Sequence, residues 1–220
     1  ESTVKTEPKL SWAHEQLGVA YCLIGEEDKA IESMLASLKL DPDQPWVHYY
    51  LVEIYLEKKK NSEKALEHAM KSIEAASKQL DLQDLVIFRS AVPEILITLG
   101  RYDDAIQAAD EVLKIVEKDS IRLNMMFAMA TSKILKGQQA AAKPTIADLL
   151  ESYSKVSMNL KNTWIYNGIL SYVDQCDWVD QGSKEIIQAM TQLLDGKISK
   201  GAFVQQFRLW QLPSSGRKAA

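Results

Sequence analysis

Apolar residues recur along this chain at three- and four-residue intervals, in blocks separated by Gly, Pro or short polar turns, which predicts amphipathic helices. The first helix is expected over about Leu10 to Ile24, with Trp12, Leu17, Ala20, Tyr21 and Ile24 on one face and Gly25 ending it. The second covers about Asp28 to Leu40 (Ala30, Ile31, Met34, Leu35, Leu38), and Pro42 stops it. A second pair follows over Pro45 to Lys58 (Trp46, Leu51, Ile54, Tyr55) and Ser62 to Lys78 (Ala65, Leu66, Ala69, Met70, Ile73). A third spans Leu85 to Leu99 and Tyr102 to Lys118, with Pro93 predicting a kink or a late start in its first helix. In the fourth, Ser120 to Lys136 is rich in methionine, and Pro144 places the start of a helix that runs to about Tyr153. Lys161 to Gln175 and Lys184 to Leu194 give a weaker fifth pair, and Ser199 to Leu212 a last amphipathic piece carrying Phe203, Phe207 and Trp210.

The blocks repeat. Trp12 and Trp46 lie 34 residues apart, and His14, Leu17 and Tyr21 match His48, Leu51 and Tyr55 at the same offset. After a slip of one residue, Ala30 matches Ala65 and Ser37 matches Ser72. Gly25, Gly100 and Gly137 each stand five residues before an alanine, Ala30, Ala105 and Ala142. A fixed period of this length marks a helical repeat array, in which each pair buries its apolar face against its neighbours. An array needs its final open face covered, and the piece from Ser199 to Leu212 is placed to act as a C-terminal capping helix.

These residues resemble the tetratricopeptide repeat. The first unit supplies that family's aromatic, Leu-Gly, Tyr, Ala and closing Pro as Trp12, Leu17, Gly18, Tyr21, Ala30 and Pro42. The second supplies Trp46, Leu51, Tyr55 and Ala65, with Val52 in place of the glycine. The third keeps Gly100, Tyr102, Ala105 and Ala109, and the fourth Gly137 and Ala142. The match covers about Ser11 to Lys118 and fades afterwards. The resemblance implies an all-α, right-handed superhelical array of antiparallel helix pairs, with a concave groove lined by the first helix of each pair. It turns Trp12, Glu15, Val19 and Cys22 toward that groove, then Trp46, Tyr49, Glu53 and Leu56, then Ile87, Ser90, Glu94 and Ile97. The partner-binding candidates are therefore Trp12, Glu15, Val19, Trp46, Tyr49, Glu53, Leu56 and Glu94, with aromatic and aliphatic side chains to anchor apolar groups and acids to meet basic ones. Family members that hold a C-terminal carboxylate do so with Lys, Arg and Asn. The corresponding places here hold Glu15, Val19, Tyr50 and Ala91, which argues against such a clamp. Residues 1–9 are expected as a flexible segment, 10–153 as the repeats, 154–212 as the degenerate pair with its cap, and 213–220 as a disordered tail.

Composition supports binding rather than chemistry. Hydrophobic residues make up 46% of the 220 and charged residues 25%, ordinary values for a folded domain. A net charge of -4 gives no general attraction for phosphates, so no nucleic acid partner is expected. No apolar run reaches the roughly 20 residues a bilayer demands, so no membrane insertion is expected. Cys22 and Cys176 belong to no CxxC pair, and two lone thiols fit a reducing, cytoplasmic setting. The chain begins with Glu, which predicts a processed or excised piece and leaves a removed leader open. No HExxH, P-loop, GxGxxG or GxSxG sequence occurs. His14 and His48 share a repeat position, which favours packing or surface roles, and His68 is expected on the solvated side of its helix. Asp174, Asp177 and Asp180 read as solvated helix-end acids, and Lys58-Lys59-Lys60 as a wet turn. Met125, Met126 and Met129 read as core more readily than as an adaptable contact surface.

The expectation is thus a non-enzymatic scaffold or adaptor, without cofactor or metal, that binds a partner protein or peptide through the concave surface as a subunit of a larger assembly. The alternative is a ligand- or peptide-sensing regulatory domain cut from a longer protein.

Overall fold

The computed structural model describes Thr3, residues 9–156 and residues 167–211. Every regular element among the described residues is helical. The chain divides into two compact units, Glu1–Ile95 and Leu96–Ala220. Most of the expected flexible start, the first part (161–166) of the expected helix over Lys161 to Gln175 and the tail 213–220 lie outside the described residues.

The first unit holds α1 (Ser11–Leu23), α2 (Glu27–Leu40), α3 (Pro45–Glu53) continued by a π-helical turn (Ile54–Lys58), α4 (Ser62–Gln79) and α5 (Leu82–Arg89), and α6 (Val92–Thr98) begins in it. Packing follows the repeat: α1 lies on α2, α3 on α4, and α4 on α5. Small residues permit these approaches. A Cβ on Gly18 would stand 2.7 Å from the Met34 Cγ, so α1 and α2 meet where only hydrogen fits. Ala30 and Ala65 are wholly buried at equivalent places on α2 and α4. The matched serines have one structural task. Ser37 donates from Oγ to the Ser11 carbonyl at 2.8 Å, and Ser72 donates to the Pro45 carbonyl at the same distance. Each hydroxyl ties the second helix of a pair to the start of the first and satisfies its own buried oxygen.

The helix stops also repeat. Gly25, Gly100 and Gly137 have φ of 74°, 70° and 74°, the left-handed conformation that closes a helix. Behind each, a backbone N–H reaches back five residues: Glu26 to Tyr21, Arg101 to Leu96, and Gln138 to Lys133. In the second pair Lys60, at φ 51°, takes the glycine's place.

Several expectations in this unit need correction. The expected helix over Leu85 to Leu99 is two helices, broken at Ser90 and Ala91, the interruption that Pro93 predicted: it cannot supply a backbone donor and starts α6 afresh. His68 is buried, not solvated, and Met70, expected on the apolar stripe of α4, is exposed. The inward face of α4 is Ala65, His68, Ala69, Ser72, Ala75 and Ala76. His68 follows Ala65 by three residues and so falls on the alanine face. Its Nδ1 lies 2.9 Å from the His48 Nδ1, and the Tyr55 ring stacks on it at 5.5 Å.

The second unit holds the remainder of α6, then α7 (Tyr102–Leu113), α8 (Asp119–Leu135), α9 (Gln139–Lys155), α10 (Asn167–Asp174), α11 (Gln181–Leu194) and α12 (Lys200–Gln211). Here α7 and α9 both pack on α8, α11 packs on α8 and α10, and α12 covers α11. The hydroxyls of Tyr102 and Tyr172 meet at 2.7 Å and join α7 to α10. Pro144 does not start a helix as expected: α9 begins at Gln139 and carries Pro144 inside it. The proline falls so early that it forfeits little beyond one bond to the Ala140 carbonyl. α7 ends at Leu113, short of Lys118. Asp180 is the N-cap of α11, accepting from the Ser183 N–H at 3.0 Å and the Ser183 hydroxyl at 2.6 Å, and so has a structural role. Met125 is buried and Met126 and Met129 are half-buried, in keeping with a core role.

Ala105 is wholly buried on α7. Replacing it with Leu should overpack that face and lower stability by about 1–3 kcal/mol, read as a reduced urea midpoint. An unchanged midpoint would mean that the repeat register is misplaced there.

Candidate partner-binding surface

The candidate surface is built on the first helices of the first two pairs. On α1, Trp12 is exposed while Glu15 and Val19 are half-buried. On α3, Trp46 is 45% exposed, Tyr49 is half-buried and Glu53 is exposed. Trp46 is exposed but held: its ring meets Phe88 of α5 edge-on at 4.8 Å and Tyr49 at 6.0 Å, and Tyr49 meets Phe88 at 5.7 Å. Tyr49 also packs on the cluster of Ala76, Leu85 and Phe88. Three rings in edge-to-face contact fix one another, so the outer face of Trp46 is presented with little rotamer entropy left to lose on contact.

Leu56 and Glu94, named as groove residues from the sequence, are both buried. For Leu56 the cause is the π-helical turn. Lys59 N–H bonds to the Ile54 carbonyl, five residues back, at 3.0 Å. Such a turn takes up one extra residue, so the helical face that passes through Tyr49 and Glu53 continues at Glu57 and not at Leu56. Leu56 turns inward beside Ile54 and Tyr55. The sequence carried the signal in its one-residue slip. Tyr21 and Tyr55 match at an offset of 34, while the left-handed Gly25 and Lys60 match at 35, so the additional residue lies between Tyr55 and Lys60. In the third pair, the break before Pro93 resets the register, and Ser90, Glu94 and Ile97 are all buried.

The surface is electrostatically negative. Burial raises the Glu53 carboxyl above its ordinary range, and the Glu57 charge raises it further. Burial also raises Glu57, against the lowering influence of Lys58 and Lys60. Glu94 lies well above the ordinary carboxylate range, first through burial and then through the Glu57 and Glu53 charges, with Lys60 opposing. Its Oε1 has no hydrogen-bond partner among the described residues. Tyr49 is pushed up by burial and by Glu53 and Glu94. Toward α1, burial raises Glu15, and burial with the Glu53 and Glu27 charges raises the Cys22 thiol. Tyr50 is raised by burial and by Glu15 and Glu53, which places it between the acids of α1 and α3.

This arrangement offers aromatic area and negative charge. The Cys22 thiol is held toward its protonated form, the reverse of an activated nucleophile. Among the described residues no group of three or more His, Cys, Asp and Glu could hold a metal ion, and no helix is long and apolar enough to cross a membrane.

Residues 13–44 match the tetratricopeptide repeat. That stretch runs from α1 through α2 to the turn before α3, so the chain contains a tetratricopeptide repeat formed by the first helix pair. The structure continues the same plan in α3 and α4, with the matched alanine and serine contacts. No curated protein matches the chain.

Proposed function

We propose that this chain is a non-enzymatic scaffold or adaptor that binds a partner protein or peptide through the face formed by α1 and α3, as part of a larger assembly. The tetratricopeptide repeat is generally a protein–protein interaction module, which supports the broad reading. The observation that carries the choice of face is Trp46. It is 45% exposed, yet Phe88 and Tyr49 brace it, and the acids Glu53 and Glu57 follow along the same helical face. Preorganised aromatic anchors flanked by charge are what binding hot spots consist of. Trp12 and Glu15 extend the surface onto α1.

Tyr49→Ala and Glu53→Lys test the reading with a partner identified by co-purification. Each should weaken partner binding at least tenfold, since losing a central anchor removes about 2 kcal/mol or more. Circular dichroism should show the fold intact. Affinities within error of the unaltered chain would exclude this face as the working surface and move attention to the helices after α9.

A further inference from the structure

The last helix, α12, carries two stripes. Phe203, Phe207 and Trp210 are buried where it covers α11. Half a turn round the helix lie Gly201, Val204, Gln205, Arg208 and Leu209, the described residues that line a cavity of about 290 Å³. They follow one another at helical three- and four-residue spacing, the pattern of a face on which a second helix packs. Val204 is half-buried and the other four are exposed. A Cβ placed on Gly201 would meet only the Ser199 Oγ, at 3.8 Å, an ordinary contact. The fold therefore does not require glycine there, and the space over it is left open to an outside group.

Charge specifies what that group accompanies. From Gly196 to Ala220 the sequence holds five cations and no acid, in a chain of net charge -4. Lys197 is engaged by Asp195 at 2.8 Å, and Lys200 donates to the Ser154 hydroxyl. Lys143 of α9 brings a further cation to the end of α12, its Nζ 3.4 Å from the Gln211 carbonyl. Arg208, on the wall of the cavity, has no ion pair or hydrogen bond among the described residues. Its planar fork matches a carboxylate. The cavity falls just short of the roughly 300 Å³ at which small-molecule pockets begin, so it suits one inserted side chain better than an enclosed ligand. A bilayer surface would need several exposed apolar side chains, and Leu209 is the one large apolar residue that α12 exposes.

We propose that the outer face of α12 docks an acidic amphipathic helix of a partner protein. An apolar side chain of that helix seats in the cavity over Gly201, against Val204 and Leu209, and a carboxylate beside it pairs with Arg208. This surface belongs to the second unit and does not depend on the reading of α1 and α3, whose acids would repel the same helix.

The test uses the full chain and fluorescence anisotropy with capped peptides of about 18 residues, above the length at which isolated helices are marginal. One peptide carries a leucine stripe at helical spacing flanked by glutamate, a second has lysine for each glutamate, and a third is a scramble of the first. The glutamate peptide should bind at least tenfold more tightly than either of the others. Gly201→Gln, which fills the cavity without adding charge, should weaken it at least tenfold. Arg208→Gln should weaken it at least threefold and narrow the preference over the lysine peptide. Both positions are exposed, so circular dichroism should show the fold intact, and either variant alone keeps the test decisive if the other misfolds. Absence of binding by the glutamate peptide would overturn the assignment, as would equal binding of the lysine or scrambled peptide. Binding that survives both substitutions would overturn it too. Vesicles of phosphatidylcholine and phosphatidylserine in equal parts form the last arm. If they bind the unaltered chain and not the variants, while no peptide binds, the face serves an anionic lipid surface and the partner helix is wrong.

Discussion

Phe203→Ala should destabilise the second unit by about 3–5 kcal/mol, the usual range for emptying a fully buried phenylalanine site. Phe203 is wholly buried on α12 and lies 6.1 Å from the ring of Phe207, which in turn lies 6.2 Å from Trp210. The Trp210 Nε1 donates to the Ser183 hydroxyl of α11 at 3.2 Å, and Lys143 of α9 stands over the Trp210 ring at 5.7 Å. These contacts lock α12 over α11 in the manner expected of a cap. Because Asp180 also bonds Ser183, the polar end of the cap is tied to the N-terminus of the helix it covers. Urea unfolding monitored by far-UV circular dichroism should show the loss. A midpoint unchanged by Phe203→Ala would mean that α12 contributes no stability and that its apolar face serves another purpose.

Acidification should weaken the first unit by about 2–3 kcal/mol, through His48 and His68. Burial lowers the pKa of both rings, and burial together with the neighbouring His48 brings His68 from 6.5 to about 4. Lys71 and Lys64 add to the lowering, Glu67 opposes it at both rings, and Asp43 and the Pro42 backbone oppose it at His48. At 2.9 Å one Nδ1 must donate and the other accept, so protonating both rings breaks the bond and leaves two cations facing each other. The unfolded chain therefore binds more protons than the native one between about pH 6.5 and 4. Stability is complete above that window and is lost as pH falls through it. Glu94 acts in the opposite sense. Its raised carboxyl keeps its proton longer in the fold than in the unfolded chain, so its contribution falls as pH rises above the ordinary carboxylate value of 4.5. The two effects are separated by His68→Gln, which should flatten the dependence of the urea midpoint between pH 7 and pH 5. An equally steep dependence in that variant would remove the histidine pair as its source.

Much of the fold was legible because its determinants are local. The glycines in left-handed turns, the alanines five residues on and the paired serines are each fixed by one backbone or packing requirement, and such requirements leave a residue type at a fixed position. The first pair carries all of them and is the pair that matches the repeat family. Legibility failed where a polar residue was given a polar role by type. His68 follows Ala65 by three residues, a spacing that places it on the buried face, but its partner His48 is 20 residues away and no local pattern reveals the bond. It failed again where the backbone departed from regular geometry. Extending a 3.6-residue period past Ile54 places Leu56 on the outer face, whereas the π-helical turn places the half-buried Glu57 there instead. Pro144 was overvalued as a helix start because α9 tolerates it in an early turn, where few backbone bonds depend on it. The candidate surface was legible on α1 and α3 as a set of positions, but the depth of Glu94 was not, since it arises from packing that the sequence does not display.

Hydrogen exchange on the complex with a co-purified partner tests the central claim most directly. If the face formed by α1 and α3 is the working surface, amides around residues 45–60 and 12–22 should gain protection on binding, the π-helical turn at Ile54–Lys58 included. Protection confined to α8 through α12, with α1 and α3 exchanging as they do in the free chain, would contradict the account.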